Sequence, residues 1–126
     1  MAADAAALYA AAGVQRSAAE CTPKLLEEAA RGGCPIARQV YDAFAEKLAC
    51  LIMNMMYALV PEAFIIGGGV AKAADLLFDP LERYLRAQLF PVHAAGLRLL
   101  PAHFGADAGL VGAGLMAAHY AEGKLL

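Results

Sequence analysis

No run of lysine or arginine occurs in the 126 residues, and the formal net charge at pH 7 is −2, so nothing draws the chain toward nucleic acid or an anionic membrane. Direct nucleic-acid binding is not expected of this segment. Nor is there an apolar run of the roughly 20 residues needed to cross a bilayer. The longest, Leu48 to Val60, contains Asn54 and follows Lys47, and reads as a buried helix in which Asn54 is a satisfied core residue. Residues Met1 to Val14 have no basic stretch ahead of their alanines and do not resemble a secretory signal, so the expected compartment is the cytoplasm. Cysteine is scarce. Cys21, Cys34 and Cys50 are an odd set without CxxC spacing, which suits neither a disulfide framework nor a structural zinc site within this chain; reduced thiols are expected.

Apolar residues, in contrast, are abundant. They make up 61% of the chain although aromatics are only 8%, so the surplus is alanine and leucine, a mixture that favours closely packed helices. The length suits one domain, residues 1–126, and is too short for two lobes closing around a substrate. The surplus also implies apolar surface meant for a partner.

Everything before Pro61 reads as helical. A short alanine-rich helix runs from Asp4 to Ala12 and closes at Gly13. Thr22 as N-cap and Pro23 at the first helical position open a second, which ends at Gly32 and Gly33. Pro35 starts the third. There Ile36, Val40, Phe44, Leu48, Leu51, Ile52, Met55 and Leu59 recur at spacings of three and four, predicting one long helix to Val60, apolar nearly all round in its second half and central to a core.

After Pro61 the chain alternates. The run Ala63 to Ile66 predicts a buried strand, Gly67, Gly68 and Gly69 a turn, and about Ala71 to Leu89 a helix. Leu97 to Leu100 predicts a second strand, and a last helix from about Asp107 to Ala121 has Leu110, Val111, Leu115 and Met116 on its apolar stripe. Strands each followed by a helix imply parallel pairing with right-handed crossovers. Two parallel strands are too few for a stable sheet. The triple glycine is the most informative local feature, because glycine admits positive φ and lets a ligand approach the backbone. The next helix would aim its first amides and positive dipole end at that place, which suits a phosphate or the ribose edge of a nucleotide. The turn is neither a P-loop nor GxGxxG, and on local pattern alone it could equally serve only the bend.

Pro61-Glu62-Ala63-Phe64-Ile65-Ile66-Gly67-Gly68-Gly69-Val70, then Asp79-Pro80-Leu81, then Gly105-Ala106-Asp107-Ala108-Gly109-Leu110-Val111-Gly112-Ala113, resemble the carboxy-terminal region of the ROK family of sugar kinases and repressors. Upstream, Glu27-Glu28-Ala29-Ala30-Arg31-Gly32-Gly33 with Ala37 is similar to the helix pair that precedes this strand in that family. The resemblance implies an α/β chain that is part of the second lobe of an actin-like, hexokinase-like (ribonuclease H-like) fold, helix-rich with two or more parallel strands. It implies that Gly67, Gly68 and Gly69 face the adenosine and phosphates of ATP, with Val70 beginning the helix beside the nucleotide. Lys72 reads as a solvated lysine at the helix start.

The family's Asp-Gly-Thr phosphate turn, Asn-Asp pair with the general base, Glu-x-Gly-His segment and zinc cysteine cluster have no counterpart here. None of the five aspartates follows an asparagine, and His93, His103 and His119 read as surface or helix-end residues. The expectation is therefore a carboxy-terminal fragment of an ATP-dependent, glucokinase-like kinase. It would use ATP with Mg, meet sugar only through a missing half, leave zinc to that half, and be inactive alone. A homo-oligomer or a complementary half is the expected partner. Two alternatives stay open: the sugar-sensing and dimerisation region of a ROK-type repressor, and a helical interaction domain without nucleotide binding.

Overall fold

The protein is described by a computed structural model that covers residues 1–15, 17 and 19–123, apart from the side chains of residues 72, 74 and 106; the reading of Lys72 lies outside these. Six helices and two strands follow in the order α1 (Ala2–Ala11), α2 (Pro23–Arg31), α3 (Pro35–Leu59), β1 (Phe64–Ile66), α4 (Ala74–Gln88), α5 (Pro91–Gly96), β2 (Leu99–Pro101) and α6 (Ala108–Ala121). Short 3-10 turns, Val70–Ala73 and Gly105–Asp107, precede α4 and α6.

The helix signals act as their chemistry dictates. Thr22 caps α2, its hydroxyl oxygen accepting from the Leu25 N–H at 3.3 Å, and Pro23 and Pro35 open α2 and α3. Helix α3 ends at Val60, whose φ of 45° puts a β-branched residue in the left-handed region.

The core forms two clusters along α3. Near its start Ala37, Val40 and Tyr41 meet Ala5 and Tyr9 of α1, Leu26 and Ala30 of α2, and Ala73. Further along, Ala45, Ala49, Ile52 and Met56 pack against Leu77, Leu81 and Leu85 of α4 and Leu89 just after it, with Leu97. The α4 leucines recur every four residues and form a ridge, and the alanines of α3 admit that ridge closely. The contact line thus differs from the predicted stripe. Of the eight stripe residues only Val40 and Ile52 are buried; Leu51, Met55 and Leu59 are exposed, as is Asn54. Volume decides this, since the bulky leucines of α4 require small residues opposite them and the large residues of α3 fall to the shoulders and beyond. Asn54, expected in the core, is exposed.

Strands β1 and β2 pair in parallel, Phe64 opposite Leu99 and Ile66 opposite Pro101, as the alternating pattern predicts. Each begins one or two residues later than its apolar run. Helix α5, absent from the sequence reading, is opened by Pro91 and is too short to show periodicity. Helix α6 forms where expected, but none of its described residues is buried, and Leu110 of its stripe is 78% exposed. On β1, Ile65 is 70% exposed. The accessible surface of the chain is 7996 Å². Among the described residues no helix is long and apolar enough to cross a membrane.

Candidate functional site around the glycine turn

The turn after β1 is held by the sheet, with the Ala102 N–H donating to the Ile66 carbonyl at 2.9 Å. Its glycines are there for different reasons. A Cβ on Gly67 would stand 3.2 Å from the Ala102 Cβ, so a side chain there would crowd the packing of the turn on the loop after β2. Gly68 has φ +93°, which L side chains rarely adopt. Gly69 has neither constraint, for a Cβ there would meet nothing within 4 Å and its φ is ordinary. Instead, Gly69 borders an open hollow of about 580 Å³ whose other wall is the start of α2: Thr22, Pro23, Lys24 and Glu27.

The wall carries mixed polar chemistry. Thr22 and Lys24 offer a hydroxyl and an ammonium, and Glu27 is half-buried, its Oε1 accepting from Arg31 Nε at 3.1 Å. Arg31 reaches on to α4, donating to Asp75 Oδ1 at 2.9 Å and Oδ2 at 3.3 Å. The hydrogen bond from Arg31 holds the Asp75 carboxyl below the usual carboxylate range, and Asp75 and then Glu27 raise the guanidinium in turn.

A 3-10 turn, Val70–Ala73, stands between the glycines and the start of α4, and Asp75 lies in the first turn of that helix. Val70 is the first residue of that 3-10 turn, directly after Gly69, and its half-buried side chain packs against both core clusters. The open face of the site is Gly69 and α2. Lys24 and Glu27 escaped the sequence reading because they lie more than forty residues from the glycines; the Thr22-Pro23 start and the Glu27–Arg31 spacing fix the helix but not its neighbour.

A second hollow of about 430 Å³ between α3 and α4 is lined by Arg38, Asp42, Asp75, Asp79 and Arg83, among others. Arg83 pairs with Asp42, which also accepts from the Tyr84 hydroxyl at 2.7 Å, and Arg38 Nε donates to the Ala30 carbonyl at 3.1 Å. The hydrogen bond to Asp42 raises the Tyr84 phenol. Among the described residues no group of three or more histidine, cysteine, aspartate and glutamate side chains is placed to hold a metal. Cys21 is buried, Cys34 half-buried and Cys50 exposed, and none of them is in a disulfide.

The first hollow thus brings together an open backbone approach at Gly69, a hydroxyl, a carboxylate and an ammonium group. Among the described residues on the lining Glu27 is the one carboxylate, and magnesium in nucleotide sites is held through one or two carboxylates together with phosphate oxygens.

The chain is a helix-rich α/β unit with a parallel strand pair and a glycine turn that opens onto a polar hollow. The sequence model of the ROK family matches residues 2–119, and the chain belongs to that family. It is 39% identical over 93 residues to a glucokinase of Halalkalibacterium halodurans, covering 74% of this chain and 28% of that protein. The bifunctional enzyme NanE/NanK of Brucella melitensis is 35% identical over 94 residues, 73% of this chain and 17% of that protein. Among solved structures, a ROK family glucokinase from Streptomyces griseus in complex with glucose and AMPPNP superposes with a TM-score of 0.65 at 30% identity, covering 90% of this chain and 36% of that one. A structure from Cytophaga hutchinsonii gives a TM-score of 0.68 over 76% of this chain and 32% of its own; at 24% identity it shows the fold alone. The fold is thus the actin-like one of sugar kinases, helix-rich with two parallel strands. This chain spans less than a third of the length of the curated relatives it matches.

Proposed function

We propose that this chain is the carboxy-terminal, nucleotide-binding half-lobe of an ATP-dependent, glucokinase-like sugar kinase, and that Gly69 is the point where the backbone meets the nucleotide. The observation that carries the reading is that Gly69 alone of the three glycines has no packing or conformational reason to be glycine, and it borders the hollow. The Streptomyces griseus relative, in complex with glucose and AMPPNP, supports a nucleotide and a sugar as ligands.

In this mechanism the chain's own residues bind and orient. Gly69 admits the nucleoside, the Thr22 hydroxyl donates to or accepts from its hydroxyls, Glu27 accepts from them, and Lys24 lies on the wall where negative charge arrives. ATP brings the transferable phosphoryl group when bound. Gly67, Gly68 and Val70, part of the expected site, act here by shaping the turn. Sugar, magnesium and the general base belong to other parts of the kinase, so this stretch by itself is silent in catalysis, and general base catalysis alone is worth roughly 10²- to 10⁴-fold. A cytoplasmic setting suits such a kinase.

Titration of ADP into the 126-residue chain tests this. Amide shifts should map to Gly67–Val70 and Thr22–Glu27, and glucose with ATP and magnesium should yield no glucose-dependent ADP. Shifts confined elsewhere would remove the site assignment, and glucose-dependent turnover in the purified chain would overturn the half-lobe reading.

A further inference from the structure

We propose that Arg31 is a positioning residue: its guanidinium ties α2 to α4 and so sets the opening between Gly69 and the Lys24–Glu27 wall. What this opening admits rests on the nucleotide reading above; the tie itself does not. Asp75 is 44 positions away in sequence, and the fork-to-fork contact at 2.9 and 3.3 Å fixes direction as well as distance. Nε meanwhile holds Glu27, itself on the wall of the hollow, at 3.1 Å. Among the described residues this is the polar contact that joins α2 to α4. The other bonds of α2 run to α3, where the Tyr41 hydroxyl donates to the Pro23 carbonyl at 3.3 Å and Arg38 Nε to the Ala30 carbonyl. Helix α2 is thereby fastened along its α3 side, and on the side of the glycines it rests on the apolar contact of Leu26 and Ala30 with Ala73 and on Arg31. Arg31 lies in the last turn of α2 and Asp75 in the first turn of α4, so both helix dipoles favour the pair.

Both side chains are about half exposed, and exposed ion pairs add little to global stability. That separates positioning from stabilising. In Arg31→Lys the charge stays, but a single ammonium cannot grip Asp75 by two oxygens and hold Glu27 at once. The test uses the full 126-residue chain with Arg31→Lys, Asp75→Asn and both together. Without ligand, amide shifts of Thr22–Lys24 and Gly67–Gly69 should move in all three variants while the thermal midpoint holds. ADP should bind roughly five- to tenfold more weakly to each, with the double variant no worse than either single one, as for two halves of one contact. Unliganded amides that stay in place, or losses that multiply in the double variant, would overturn the tie. If the amides move but the parental chain takes up no ADP at the turn, the tie stands and the nucleotide reading falls. If the parental chain binds ADP there and both single variants bind it equally well, the tie falls and the nucleotide reading stands.

Discussion

Gly69 and Gly68 are adjacent and both exposed, yet substitution should separate them cleanly. Gly69→Val adds a Cβ that has no neighbour within 4 Å, at a residue that borders the hollow, so stability should hold while ADP binding is lost. Gly68→Ala also meets nothing, but its φ of +93° should cost on the order of 1–2 kcal/mol in chemical denaturation. The reverse pattern, with Gly69→Val unstable and still binding ADP, would show that the two roles have been exchanged. Val60 is the opposite case, a β-branched residue held at φ 45° where glycine is the usual occupant. Val60→Gly should therefore raise stability by about 0.5–1 kcal/mol, the relief of backbone strain exceeding the entropic penalty of glycine. The run of three glycines was legible in the sequence as one unit. Its division of labour was not, because it depends on Ala102, thirty-five residues on, and on a torsion angle that no local pattern records.

Helix α4 is where the apolar ledge of the fold is concentrated, so its leucines should dominate any mutational scan. Leu81 is fully buried between the alanines of α3, and Leu81→Ala should destabilise the chain by about 3–5 kcal/mol through lost transfer energy and a residual cavity. Leu115→Ala on α6, a 59% exposed position, should change stability by no more than about 0.5 kcal/mol. Equal losses at the two positions would mean that α6 is packed in solution. The elements themselves were largely readable: Thr22-Pro23 and Pro35 gave helix starts to the residue, and strand–turn–helix alternation gave parallel pairing. Which side of α3 is buried was not, since spacing of large residues marks a stripe without saying that the neighbour's leucines need alanines opposite. The wall of the hollow from α2 was hidden for a similar reason, being a meeting of segments that are distant in sequence.

For a monomer of this mass the usual accessible surface is about 6,400 Å². The chain exposes 7996 Å², about a quarter more, with Ile65, Leu110, Met116 and Tyr120 among the large residues left in water. Such surface favours association with a second copy or a complementary half. Sedimentation at micromolar concentration should show a dimer or larger species, or a monomer that binds apolar dyes; a compact monomer without dye binding would count against this. Helix α6 gives the same imbalance a calorimetric signature. Its apolar stripe is already hydrated in the folded chain, so unfolding adds little there to the water-ordered surface that raises heat capacity. The increment per residue should fall below the roughly 12–15 cal/mol/K typical of self-contained domains. The curve of stability against temperature should accordingly be unusually flat, a broad plateau in place of a dome, until something covers that helix.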